Sequence, residues 1–465
     1  MRTAKRKTFW DQQINFKHIT NRVPDWDAYM TIDEQYASTR ALAADFPSMV
    51  TVKTIGKTRG GDSIELISIG DGHENALVFA GAHPMEPIGC MTIEFLTRHL
   101  CENRALCQEL GYQWHFVKCL DSDSMRLNEG WFKGPFTPTH YHANFYRPER
   151  TEVPDMLFPI EYKTLKFDRP LPETKALKVA IDAIQPKLMY SLHNAEIGGV
   201  WYFLSRPYEP LYEVFTDIPR WFDLPLNLSD LKQSDYVDRY APAIYRMPTV
   251  KDVYDYLSTI GTEDPSSEIG WGDLSNGYAA DNYGTFTLLV EVPLWTQEHA
   301  NDGTPMEIGR RELLLQRLDK DEAFVAWMQS QLAAVKDDLR LNTPFHRAVS
   351  ERLAYTKGRA SAQRLWSHAA TAAAPATKAD YFTTVNFEEH RRQGCRGMFV
   401  RMMDAEIDYG NDSYAILASR ESVVNELRAV GKALENELEY RLTPIRTAVS
   451  VQVCAGLATA IALRD

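Results

Sequence analysis

Apolar and polar residues alternate in three different rhythms along this chain of 465 residues, and the rhythm changes locate its elements. Tyr29, Ile32, Tyr36, Leu42 and Phe46 recur at helical spacing and predict a helix over Asp27–Phe46, stopped by Pro47. Val50–Ile55 and Ser63–Ile69 alternate with period two around a Gly60–Gly61 turn, the pattern of a hairpin. Ala76–Gly81 is a short, nearly unbroken apolar run and predicts a buried strand. From about Pro87 the period returns to helical through Ile88, Met91, Phe95, Leu96 and Leu100. Further strands are predicted at Trp114–Leu120, Lys187–Leu192 and Phe286–Val292, with a helix at Lys175–Ala183. Between them, Asp121–Pro172 is rich in aromatic residues and proline and lacks periodicity, as expected of a long loop lining a site. Leu211–Asp281 is mixed and rich in tyrosine.

Strands alternating with helices imply an α/β fold, with a mixed, mainly parallel sheet covered by helices on both faces. After Pro293 the pattern becomes helical. Val325, Met328, Leu332, Val335 and Leu339 form one seam within 308–341; Val423, Leu427, Val430, Leu434 and Leu438 form another within Glu421–Arg441. A linker with Pro344 and an Ala/Thr-rich patch at Ala369–Lys378 separate them. The expected organisation is a lead-in over 1–25, a catalytic α/β domain over 26–342 and a helical C-terminal region over 343–465. The apolar faces of that region could pack on the catalytic domain or join a second copy in a homo-oligomer.

Composition narrows the function classes. The net charge is −12, and the only basic cluster is Lys5, Arg6 and Lys7, which argues against nucleic acid or a membrane surface as partner. The first residues carry no apolar signal core, and six scattered cysteines form no CxxC pair, so free thiols and a cytoplasmic location are expected. The apolar run Ala448–Leu463, interrupted by Ser450, Gln452 and Thr459, reads as a buried helix rather than a span.

Ionisable residues stand at three predicted strand ends: His83 with Glu86 in HPME, His193 in YSLHN, and Glu291 in LLVEVP. Strand ends in an α/β sheet open onto a crevice. Two histidines and a glutamate leave one coordination position free, which is the arrangement of catalytic zinc. Glu291 lies in an apolar strand and suits a general base; the alternative is a glutamate buried against an arginine. Rival ligands are Glu196, three residues after His193, and His140 with His142 in THYH. His73, His99 and His115 read as structural or solvated.

These landmarks resemble the zinc carboxypeptidases of the M14 family. FPSMVTVKTIGKTRGGDSIELISIG looks like that family's entry segment, and HPME, YSLHN and LLVEVP follow in family order. The resemblance implies one zinc ion on His83, Glu86 and His193, Glu291 as general base and acid, and hydrolysis of the amide bond next to a free C-terminal carboxylate of a peptide. The family's adjacent Asn-Arg pair is missing. Arg147 with Asn144 is the first choice for gripping the carboxylate, since a guanidinium offers two parallel bonds. Arg126 with Asn128 is the choice for stabilising an oxyanion. Tyr278 and Tyr283 are candidates for the family's mobile tyrosine. Two alternatives stand beside this reading: a zinc-dependent deacylase of N-acyl amino acids resembling the aspartoacylase and succinylglutamate desuccinylase group, and a non-catalytic binding protein on the same fold.

Overall fold

Val50–Lys57 and Ser63–Ile69 pair antiparallel, Val50 opposite Ile69, as their alternation predicts. They form one edge of a ten-stranded sheet in a computed structural model that describes residues 15–229, 237–367, 373–437 and 439–464. Lys5, Arg6 and Lys7, the early part of Ala369–Lys378, and Leu438 lie outside the described residues. Of the lead-in, Phe16–Thr20 is a short helix capped by Asn15.

In spatial order the sheet runs Val50–Lys57, Ser63–Ile69, Tyr112–Val117, Glu74–Phe79, Leu188–Gly198, Phe286–Thr296, Trp201–Leu204, Ile244–Arg246 and Arg239–Ala241. Arg441–Leu442 adds a short pairing at Trp295 and Thr296. The four strands from Tyr112–Val117 to Phe286–Thr296 are mutually parallel. The fold class is therefore α/β with a mixed sheet, parallel at its centre.

Helices cover both faces. Pro172–Ile184 lies on one, where Ala176, Leu177 and Ile181 cluster with Leu77, Phe79 and Met189. The other face carries Ile88–Glu102 and Ile445–Arg464. Each fully buried side chain of this size contributes roughly 1.5–3 kcal/mol by leaving water. The Ile445–Arg464 helix is long and apolar enough to cross a membrane, yet most of it is buried inside the protein. Gly456 allows its close approach to the sheet: a Cβ there would lie 2.6 Å from the Tyr190 ring.

Packing thus crosses the sequence boundary at 343, because the last helix of the C-terminal region completes a layer over the ten-stranded sheet. Gln452, the polar residue in that apolar helix, is fully buried. Its Nε2 donates to the His193 carbonyl at 2.7 Å, and its Oε1 accepts from the Thr92 hydroxyl at 2.6 Å. Gln452→Leu leaves both groups buried without partners, at about 1–3 kcal/mol each. The expected result is a lower urea midpoint and weaker metal retention; an unchanged midpoint would show that the helix position does not depend on these bonds.

Three local expectations change. The two central strands continue past Leu192 and Val292 to Gly198 and Thr296, paired from Leu188/Phe286 to Gly198/Thr296. The polar residues His193, Asn194 and Glu196 mask this continuation in the apolar pattern. Pro344 starts the helix Pro344–Trp366 instead of marking a linker, since proline at a first helical position removes no bond. The long segment Asp121–Pro172 holds short helices at Ser122–Arg126 and Pro138–Ala143 and a small hairpin, Ile160–Tyr162 with Leu165–Phe167.

Candidate metal centre

The Glu74–Phe79 strand ends on Ala80, Gly81 and Ala82. Gly81 has φ +66°, and a Cβ there would meet Cys119 Sγ at 2.6 Å, so the tight exit needs glycine. The turn that follows is closed by Glu86 N–H donating to the His83 carbonyl at 3.2 Å. Helix Ile88–Glu102 then begins, and Asn194 Oδ1 accepts from its Ile88 N–H at 3.2 Å. Glu86 therefore sits beside a helix N-terminus, where a negative charge is favoured.

His83, Glu86 and His193 converge. Glu86 places one carboxylate oxygen 2.9 Å from His83 Nδ1 and the other 2.7 Å from His193 Nδ1. The two Nδ1 atoms are 3.2 Å apart, and the rings meet edge to face. Each outer nitrogen has its own neighbour. His193 Nε2 lies 2.8 Å from the Ser191 hydroxyl, and His83 Nε2 lies 3.8 Å from Asp155 Oδ1. At 2.8 Å the Ser191 hydroxyl can fix the His193 ring and leave its inner nitrogen as donor to a metal, whereas Asp155 is beyond hydrogen-bond distance of His83. Burial disfavours a charge on Glu86, but the two histidines outweigh it and hold the carboxyl well below the usual range. Burial likewise opposes protonation of His193, and the Glu86 charge overrides it, raising the imidazole to about 9. A cluster that draws in a proton this strongly is one that favours a cation, and the N, N, O donor set fits a divalent metal of the zinc type.

Glu291 stands directly beside His193 in the paired strands. Its Oε2 is buried without a hydrogen bond. Burial pushes its carboxyl up to about 8 and the Glu86 charge adds to this, while His193 and Arg147 counteract only in part. A carboxyl poised near neutrality next to a metal cluster is suited to proton transfer.

Arg147 is close enough to act on Glu291, and among the described residues its guanidinium has no hydrogen bond or ion pair. Asn144 is separate from it: its side chain donates to the His140 carbonyl at 3.0 Å. Arg126 is not free for an oxyanion, because Asp33 and Asp62 bind it at 2.8 and 3.1 Å. Asn128 pins the loop instead, pairing with the Tyr146 backbone at 2.9 and 3.0 Å, next to Arg147. Tyr278 and Tyr283 are also elsewhere. Both hydroxyls bond Asp182 on the far helical layer, at 2.7 and 2.9 Å. Closeness in sequence to Glu291 misleads here, since the strand from Phe286 carries the chain about 17 Å before Glu291 is reached.

Sequence reasoning missed Ser191. The spacing S-x-H in a strand was a usable signal, as residues two apart share a face. Arg352, on the helix Pro344–Trp366, lies near Arg147, and burial together with that arginine's charge lowers it to about 10. The rival ligands behave differently from one another: His140 is half-exposed against the Gly130 carbonyl, whereas His142 is buried beside Glu196 and His390.

Residues 35–134 match the zinc carboxypeptidase family, peptidase M14. That segment holds the entry hairpin, His83 and Glu86; His193 and Glu291 lie beyond it. Among solved structures, the chain is similar to a metallo-carboxypeptidase from Burkholderia cenocepacia, at 16% identity and a TM-score of 0.35, over 57% of this chain and 60% of that one. It is similar to carboxypeptidase A from Helicoverpa armigera at 14% identity and a TM-score of 0.37, covering 58% and 65%. Bovine thrombin-activatable fibrinolysis inhibitor is similar at 13% identity and 0.32, covering 57% and 86%. No curated protein matches the chain in sequence.

Proposed function

We propose that the protein is a zinc-dependent metallocarboxypeptidase that cleaves the amide bond next to the free C-terminal carboxylate of a peptide. The observation that carries this reading is the pairing of Glu291 with His193 across two parallel strands, which sets a carboxyl group with one buried, unbonded oxygen beside the His83–Glu86–His193 cluster. The family match over residues 35–134 supports it.

In this reading His83, Glu86 and His193 hold the zinc. When bound, the metal lowers the pKa of a coordinated water and polarises the scissile carbonyl. Glu291 takes the water's proton and passes it to the leaving nitrogen. Arg147, unpaired and facing Glu291, binds the terminal carboxylate and so sets which amide bond lies at the centre. Ser191 orients the His193 imidazole, and Gln452 holds the strand backbone at His193.

Matched peptides with a free or amidated C-terminus test the substrate reading, alongside N-acyl amino acids. The free acid should be turned over at least tenfold faster than the amide. Arg147→Ala should cut kcat/KM for the free acid roughly 10- to 150-fold, the value of one charge-assisted bond, and abolish that preference. Equal turnover of acid and amide would overturn the role of Arg147. Turnover confined to N-acyl amino acids would favour the deacylase, and stoichiometric zinc without any hydrolysis the binding protein.

A further inference from the structure

We propose that His142, Glu196 and His390 form a second divalent-metal site, of the zinc class, separate from the centre at His83. One nitrogen of each histidine and a carboxylate oxygen of Glu196 lie within 4.8 Å of one another. The three residues come from three elements: the helix Pro138–Ala143, the strand Leu188–Gly198 and the helix Glu388–Asp408. Glu196 follows His193 by three positions in one strand, so the two side chains leave opposite faces and serve different clusters.

The hydrogen bonding of these groups is incomplete in a way that points to a ligand. His142 and His390 are each only 1% exposed. Both ring nitrogens of His142, Nδ1 of His390 and Oε2 of Glu196 are buried without a hydrogen bond. Leaving such groups unpaired costs about 1–3 kcal/mol each, and one from each residue converges on a common point, which calls for a partner there. Tyr440 supplies the same device that Ser191 supplies at the first centre. Its hydroxyl lies 2.7 Å from His390 Nε2, and in the tautomer where Nε2–H donates to that hydroxyl, Nδ1 presents its lone pair to the cluster. His142 Nε2 is 3.9 Å from Glu196 Oε2. Ligands about 2.0 Å from a tetrahedral ion stand about 3.3 Å apart, so this pair must close by roughly 0.6 Å to seat a metal. The buried Tyr141 hydroxyl lies close enough to Glu196 for that carboxylate to act on it.

Such a metal would join the C-terminal helices to the strand that carries His193 and to the loop that carries Arg147. The test counts metal by elemental analysis on the full chain, loaded with zinc and passed through gel filtration. Wild type should hold two equivalents, His390→Ala and Glu196→Gln one, and His83→Ala one. A wild-type count of one that survives His390→Ala, or no metal in folded His83→Ala, overturns the second site. A single equivalent lost in His390→Ala and kept in His83→Ala would support it while overturning zinc at the first centre. If His390→Ala fails to fold, the wild-type and His83→Ala counts still decide.

Discussion

Glu291→Gln is expected to lower kcat by roughly 10²- to 10⁴-fold, the usual contribution of a positioned general base, while zinc content stays at the wild-type level. The amide keeps the shape of the carboxylate but takes up no proton. It lies outside the His83–Glu86–His193 group, so metal retention does not depend on it. A second readout follows from its raised pKa of about 8. In the unfolded chain a glutamate ionises from about pH 4.3 upward. In the metal-stripped native state Glu291 keeps its proton until about pH 8, so wild type loses stability relative to Glu291→Gln across that interval. The stripped variant should therefore have the higher urea midpoint at pH 8 and about the same midpoint at pH 4. Near-wild-type turnover would sink the general-base role. A midpoint difference that does not grow with pH would show that burial and the Glu86 charge do not hold the proton on Glu291.

The centre was legible in the sequence because its residues follow short runs of strong pattern. His83 and Glu86 come after a run of apolar residues that can only be a buried strand, and Glu291 is an acid inside another such run. The residues proposed to meet the substrate were not legible for the same reason. Arg126 and Arg147 share a loop without periodicity, and only the tertiary structure shows that Asp33 and Asp62 bind one and leave the other free. Tyr278 and Tyr283 were misplaced because distance along a strand is invisible in residue count. The C-terminal region was legible as helix but not as neighbour: nothing near Gln452 or His390 indicates the strand at His193 and Glu196 as the contact. A buried glutamine within an apolar helix was the one available hint that this helix meets a polar backbone group.

That region is held together by charges, which gives it a different sensitivity from the sheet. Glu388→Gln is expected to cost about 3–5 kcal/mol, the usual effect of removing one partner from a buried ion pair. Glu388, on the helix Glu388–Asp408, receives two bonds from Arg359, at 3.1 and 2.9 Å. Arg317 Nη1 lies 3.6 Å from the same carboxylate, and Arg391 3.5 Å. Asp321 is the other acid between Arg317, Arg359 and Arg392. Three helices, Arg310–Val335, Pro344–Trp366 and Glu388–Asp408, are thus tied at one buried point. Burial opposes the charge on Glu388, but the arginines, Arg359 first, hold its carboxyl well below the usual range. Its contribution is therefore fully present above the unfolded value of about 4.3 and is lost as pH falls from there toward the folded value. The urea midpoint of Glu388→Gln should lie far below wild type at pH 7, and the gap should narrow below pH 4. Glu389→Gln, whose side chain is 21% exposed, should cost less. A gap that stays constant into acid would mean that packing, and not the carboxylate charge, joins these helices. Because His390 lies two residues from Glu388, loosening the network should also release the metal counted at the second site before it releases the metal at His83.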